Sequence, residues 1–387
     1  MKIITSTKDL AEFCEAAKSF DYVTVDTEFL RETTYWPILC LVQMATPEDA
    51  VIVDPMVDGI DLQPMFDLFQ DQSVVKVFHA AKQDIEIFVK LSGSAPQPVF
   101  DTQVAASVCG FGDSISYDNL VRQITGEQLD KSSRFTNWSH RPLTEKQLTY
   151  ALGDVTHLRD CYLSIADTLD KKDRRSWVAS ELEALMDKDN YLVKPTNAWK
   201  RLKMKVHRPR DLAMMQEIAA WREQRAQDTN VPRGRVIKDD AIYELAQQQP
   251  ASSAAFDRLR SFSKGFGRSS AANEIIKIVE QVKKLDKDDL PKVKRKPAGP
   301  SPKGPIGDLL RVLLKAVSEN AGVAPRIIAS SDDIDAIVLD SDADVAALKG
   351  WRREVFGEKA LQIKEGKLAL GATKSSIVPI EVDIQSE

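Results

Sequence analysis

The sequence predicts an α/β domain with a mixed sheet flanked by helices, followed by two small all-helical domains. Three observations predict it. The first 195 residues alternate strand-like and helix-like stretches, strand signals stop near Val206, and a Lys-, Pro- and Gly-rich stretch over 286–305 separates two helical regions. A chain of 387 residues is also too long for one typical core.

The elements follow in order. "TKDLAEFCEAAKSF" has a helical apolar period. "YVTVDTEF", "ILCLVQMAT" and "DAVIVDP" are short, rich in Val and Ile and bounded by Pro, Asp or Gly, so they read as three consecutive strands. "LQPMFDLFQ" reads as a helix and "VVKVFHA" as a fourth strand, and "KQDIEIFVKLSG" and "FDTQVAASVCG" read as helices or helix starts. A long helix is predicted from Thr144 to Lys171, because Leu148, Leu152, Val155, Leu158, Tyr162, Ile165 and Leu169 keep 3–4 spacing throughout. From Val206 the pattern becomes helix, loop, helix, with Asp211 and then Asp239 or Asp240 as caps. These signals set domains at 1–195, 206–285 and 306–375, with a linker at 286–305 and an irregular tail at 376–387.

Composition narrows the class. A hydrophobic fraction of 43% and a charged fraction of 29% belong to an ordinary globular protein. No run of 18 apolar residues exists, and the N-terminal stretch lacks an apolar signal core, so neither a membrane span nor secretion is expected. Cys14, Cys40, Cys109 and Cys161 are scattered without CxxC spacing, which predicts a reducing cytoplasm rather than a disulfide framework or zinc site. His79, His140, His157 and His207 are scattered too, so any metal would need oxygen ligands, which points to Mg²⁺ or Mn²⁺. Residues 1–200 hold 20 Lys and Arg against 31 Asp and Glu, whereas residues 201–300 hold 22 against 13. The basic middle is either a phosphate-binding surface or, in part, a solvated linker.

Chemistry enters with "VTVDTEFL". Asp26 and Glu28 lie two apart on a strand, so both carboxylates leave one face. Like charges placed side by side repel and are costly to desolvate, unless they sit at a strand end facing solvent or Arg31. Asp84 falls in the first turns of the helix after "VFHAA", where the helix dipole alone would favour an acid. Tyr150 and Asp154 are four apart on the long helix and flank its apolar seam. Each signal alone is ordinary. Together, four carboxylates from a strand, a helix start and a later helix can converge into an oxygen-only site for two Mg²⁺ or Mn²⁺ ions. Such a site can clamp a phosphodiester, with the tyrosine orienting the attacking water.

The set Asp26-x-Glu28, Asp84 and Tyr150-x-x-x-Asp154 resembles the three exonuclease motifs of the DEDD superfamily, in its tyrosine-bearing branch. The flanks "VDTEFLRETTYWPILCLVQMA", "HAAKQDIEIF", "FDTQVAA" and "NWSHRPLTEKQLTYALGDVTHL" are similar to bacterial ribonuclease D over residues 1–190. The resemblance implies a ribonuclease H-like fold and 3′→5′ exonucleolytic hydrolysis of RNA to nucleoside 5′-monophosphates, with tRNA precursors among the substrates. It implies that Asp26, Glu28 and Asp154 hold one metal and Asp26 and Asp84 the other, and that Tyr150 positions the water. Phe29 and Leu30 would pack on the terminal base and sugar, although Phe29 fits a core position equally well. His79 reads as structural.

The stretch "DLAMMQEIAAWREQRAQDTNVPRGRVIKDDAIYELAQQQP" resembles an HRDC domain, a module tied to nucleic-acid binding or substrate positioning. Arg222, Arg225, Arg233, Arg235 and Lys238 are its candidate phosphate contacts. The region 306–375 is similar, more loosely, to a second HRDC-like domain; it is net acidic, which points to shaping access to the cleft rather than gripping RNA. The expected partner is RNA, with no membrane and no obligate protein partner, and the expected state is a monomer. Two other readings stay open: a Werner-type DNA exonuclease with the same cluster, although no Walker A sequence is present, and a non-catalytic RNA-binding scaffold.

Overall fold

The structure, a computed structural model, describes residues 2–130, 132–134, 136–204, 206–293 and 302–382. The chain divides into two compact units: Met1–Glu28 with Cys40–Lys188 and Pro297–Glu387, and Phe29–Leu39 with Asp189–Lys296.

In the first unit, β1 (Lys2–Ile4), β2 (Tyr22–Leu30, whose last two residues belong to the second unit), β3 (Ile38–Ala45, whose first two residues belong to the second unit), β4 (Ala50–Val53), β5 (Val75–Phe78) and β6 (Val99–Asp101) form one sheet in the order β1-β4-β3-β2-β5-β6. β3 and β4 pair antiparallel, whereas β1 pairs with β4, β2 with β5 and β5 with β6 in parallel, which makes the mixed sheet the sequence predicts. The helices are α1 (Thr7–Ala17), α2 (Gln63–Gln70), α3 (Lys82–Ser92), α4 (Thr102–Cys109), α5 (Tyr117–Thr125), α6 (Glu145–Lys171) and α7 (Arg175–Met186). α6 starts where the sequence places it because Thr144 and Gln147 close a capping box. The stretch "FDTQVAASVCG" is split: Phe100 and Asp101 end β6, and the Asp101 carboxylate caps α4 by accepting from the Gln103 and Val104 backbone N–H groups.

The second unit carries α8 (Pro209–Asp228), α9 (Arg233–Val236), α10 (Asp239–Gln248) and α11 (Ser270–Lys283) around Met214, Ile218, Ile242, Leu245 and Val279. Its caps differ from those expected. Asp211 and Asp239 lie inside the first turns of α8 and α10, where they act on the helix dipole rather than as side-chain caps.

The region expected as a separate third domain supplies α12 (Pro305–Ala321), α13 (Pro325–Ile328), α14 (Ser331–Leu339), α15 (Gly350–Arg352) and α16 (Glu358–Lys364) to the first unit. Its Leu310, Leu313 and Val317 belong to one continuous hydrophobic cluster with Leu158, Cys161 and Ile165 of α6. Trp177 of α7 stacks on Trp351 of α15 at 4.3 Å between ring centres, and the Arg352 guanidinium donates to Glu181. The region is not all-helical. β7 (Leu368–Ala372) and β8 (Ile377–Glu381) form an antiparallel hairpin with Ala369 opposite Ile380, so part of the expected tail is a strand. Pro379 is tolerated there because a two-stranded sheet is all edge. Residues 294–301 of the expected linker and 383–387 of the expected tail lie outside the described residues.

Candidate active site

β2 lies between β3 and β5 in the sheet, and its buried half, Tyr22–Val25, gives way to the partly buried Asp26 and Glu28. The Thr24 hydroxyl ties this strand to its surroundings, its one proton shared between the Val155 carbonyl of α6 (2.8 Å) and the Ala45 carbonyl (3.2 Å). That pair of bonds fixes the height of α6 against β2, and Asp154 precedes Val155. The Tyr117 hydroxyl adds a second tie, donating to the Gly153 carbonyl at 3.1 Å. As a result Asp26, Glu28 and Asp154 bring one carboxylate oxygen each within 4.8 Å of the others.

Asp84 reaches the same site from α3 and is 6 % exposed. The turn that delivers it is organised by Asp101, whose carboxylate accepts from the Ala80 N–H (3.1 Å) and the Ala81 N–H (2.9 Å). Ala80 is held in the left-handed region at φ 59°, a conformation an alanine adopts only when its surroundings impose it. The Thr27 hydroxyl donates to Asp84, joining the strand between the two motif acids to the helix.

The electrostatics are those of crowded, desolvated acids. Burial pushes Asp26 well above the usual carboxylate range, and Asp154 raises it further. Glu28 is pushed up to about 10 by burial and then by Asp26, Asp154 and Asp84. Asp84 is raised by burial and by Asp26. Asp154 is pushed up to about 7 by burial, against the opposing pull of the Tyr150 hydroxyl and Arg134. Burial and the neighbouring acids raise Tyr150 as well, so it keeps its proton at neutral pH. An all-oxygen donor set, partly buried and carrying more negative charge than its surroundings offset, fits hard divalent cations.

A cleft of about 350 Å³ opens beside the cluster, lined by Asp26, Tyr150, Asp154, Tyr117, His79 and Arg134 among others. Trp138, 2 % exposed, packs its ring 6.0 Å from that of Tyr150. His79 borders the cleft, but both ring nitrogens have protein partners, Thr102 Oγ1 at 2.9 Å and the Ile115 carbonyl at 3.1 Å, in keeping with its structural reading.

The structure thus brings Asp26, Glu28 and Asp154 together beside Tyr150, with Asp84 tied to the same strand through Thr27. Phe29 and Leu30 end β2, partly buried, and belong to the second unit. The basic candidates of that unit diverge. Arg222 is 5 % exposed and donates to Asp239 (2.7 Å) and to the Ile237 carbonyl (3.2 Å), so it is a structural ion-pair partner and not a phosphate contact. Arg225 is engaged by Glu274 at 2.9 Å, and Arg233 by Glu223 at 3.4 Å. Arg235 and Lys238 are exposed, with no ion-pair partner among the described residues. Sequence reasoning missed Thr24, Asp101 and Arg134. Only Asp101 had a local signal, the acid that opens the helix of "FDTQVAA".

Residues 1–170 match the family model described as 3′-5′ exonuclease, and residues 211–279 match the HRDC domain. The chain is 50% identical over 381 residues to ribonuclease D of Nitrobacter hamburgensis, covering 98% of this chain and 100% of that one. It is 48% identical to ribonuclease D of Bartonella henselae, covering 97% and 93%. Among solved structures it matches RNase D of Escherichia coli, described as an exoribonuclease involved in structured RNA processing, with a TM-score of 0.82, 27% identity and coverage of 94% and 98%. Nearly full-length likeness at 48–50% identity to two ribonuclease D proteins means that the chain belongs to the ribonuclease D family.

Proposed function

We propose that this chain is a metal-dependent 3′→5′ exoribonuclease that trims the 3′ ends of structured RNA, tRNA precursors among them, in the cytoplasm and releases nucleoside 5′-monophosphates. The observation that carries the reading is the meeting of Asp26, Glu28 and Asp154 within 4.8 Å beside Tyr150. Asp26, Glu28 and Asp154 would hold one Mg²⁺ or Mn²⁺, and Asp26 with Asp84 the other. Bound there, two divalent cations supply an acidified water and an offset for charge on the leaving 3′ oxygen. The chain's own residues do the rest. The carboxylates give up the protons that burial makes them hold, and Thr27 keeps Asp84 turned toward the site. The protonated Tyr150 hydroxyl, braced by Trp138, donates a hydrogen bond that fixes the direction of attack.

Incubation of matched 5′-labelled RNA and DNA with Mg²⁺ or Mn²⁺, using wild type and Asp26→Asn, tests the reading. A ladder shortening from the 3′ end on RNA alone, absent in the variant, is expected. Equal degradation of DNA would assign a DNA exonuclease instead, and RNA binding without any ladder a scaffold.

A further inference from the structure

Among the described residues lining the acidic cleft, Arg134 is the only Lys or Arg. It lies in the segment between α5 and α6, which is held at several points around it. The buried Ser133 accepts the Thr136 hydroxyl through its carbonyl at 2.8 Å, and the Gln147 amide donates to Thr136 at 3.2 Å. Further on, Trp138 is buried against Tyr150, and Arg141 donates to Asp54 at 2.6 and 2.7 Å and to the Cys40 carbonyl at 2.8 Å. Arg134 stands within this anchored stretch with its side chain exposed on the cleft. Its charge acts on both Glu28 and Asp154.

Charge balance says what such a cation is for. Asp26, Glu28, Asp84 and Asp154 carry four negative charges when ionised, and two divalent cations balance them. An incoming phosphodiester then adds one negative charge in a partly desolvated cleft, and nothing in the metal–carboxylate set offsets it. A guanidinium is the side chain whose planar fork grips two phosphate oxygens at once. We propose that Arg134 is a substrate-binding residue of the cleft, which leaves the carboxylates when metal fills the site and clamps the phosphodiester at the RNA 3′ end. The inference rests on the exoribonuclease reading and extends it to a residue outside the five motif positions.

The competing role is a tether that merely offsets the carboxylates, and the two roles separate experimentally. Wild type, Arg134→Ala, Arg134→Gln and Arg134→Lys are compared in kcat and KM on a short single-stranded RNA with Mn²⁺, and in Mn²⁺ binding by calorimetry without RNA. A substrate clamp predicts a KM raised roughly 10- to 100-fold in the alanine and glutamine variants. It also predicts a salt dependence of log(1/KM) shallower by about 0.7, partial recovery with lysine, and Mn²⁺ affinity equal to or tighter than that of wild type. An unchanged KM overturns the proposal, as does weakened Mn²⁺ binding with a fall in kcat alone. The glutamine variant keeps the comparison if the alanine variant fails to fold. Nucleotide release by the wild type in the same assay tests the underlying reading. An inactive wild type sinks that reading, whereas an active wild type with an indifferent Arg134 sinks only this inference.

Discussion

In the first unit, Asp26, Glu28 and Asp154 set three carboxylates within 4.8 Å of one another, and all three are pushed upward in pKa by burial. In the second, Glu223 is 0 % exposed and Arg222 5 %, yet each meets a partner of the right kind. Glu223 accepts from the Tyr35 hydroxyl and from Arg233, and Arg222 donates to Asp239 and the Ile237 carbonyl. Both regions bury charge. One satisfies it internally, and the other leaves acids of one sign that bound protons or a cation must offset. A buried charge therefore marks a structural joint when its partner is in the chain, and a site when it is not.

The contrast breaks most visibly at Asp26. Replacing it with asparagine is expected to lower kcat by at least about 10³-fold, the upper end of what one electrostatic partner at a reacting centre costs. The same change removes a buried carboxyl that must either take up a proton or sit charged beside Asp154, so the metal-free Tm should rise, by on the order of 2–4 °C for each kcal/mol relieved. Calorimetry of the chelated protein would show a fall in Tm instead if Asp26 were a structural partner like Glu223. Tyr150→Phe comes next, with kcat expected to fall by about 10²-fold and KM to stay within about twofold. A raised KM with unchanged kcat would make Tyr150 a binding residue.

The opposite sign is expected in the second unit. Glu223→Ala leaves Tyr35 and Arg233 without their buried acceptor, and should destabilise that unit by about 3–5 kcal/mol. Denaturation followed by Trp221 fluorescence would check it, and a neutral or stabilising result would remove the distinction drawn above. Turnover of a short RNA by the folded variant should be unaltered.

The acids of the cleft also predict a pH signature. Asp154 is pushed up to about 7 and Glu28 to about 10, chiefly by burial, whereas in the unfolded chain both titrate near 4. Between about pH 4 and those values the folded, metal-free protein holds protons the unfolded chain has lost. Its stability should therefore fall as pH rises through that window. Mn²⁺ requires the ionised carboxylates, so its binding releases protons and tightens with pH. The rise in Tm on adding Mn²⁺ should be larger at pH 8 than at pH 6. An equal rise at both would show that the carboxylates are already ionised without metal.

Much of this was legible in the sequence because it was periodic. Period two put Asp26 and Glu28 on one face of a strand, and period 3.6 put Tyr150 and Asp154 on one face of α6. What was not legible is set by distance along the chain. The burial of Arg222 depends on Asp239, which a single sequence cannot distinguish from a neighbouring surface acid. The hydrophobic cluster that holds both Leu158 and Leu310 joins residues about 150 positions apart, a contact no local period shows. The β7–β8 hairpin hid behind Gly371 and Pro379, residues that argue against a strand until an edge is known. Arg134 carried no signal, because a loop has no period to place it.

The smallest effect concerns the cations that keep the sequence reading of the second unit alive. With Arg222 paired inside and Arg225 and Arg233 engaged by Glu274 and Glu223, the exposed Arg235 and Lys238 remain as the candidates able to meet phosphate without breaking a structural pair. Each phosphate contact to a single strand contributes about 0.7 to the slope of log K against log salt. Arg235→Ala with Lys238→Ala should therefore flatten that slope by about 1.4 and weaken binding of a long RNA several-fold at low salt, with kcat on a short RNA unchanged. Arg222→Ala should do the reverse, lowering stability while leaving the slope intact. If the Arg222 change alone flattened the slope, its burial against Asp239 would have to open when RNA binds, and paired charge would no longer separate the second unit from the cleft.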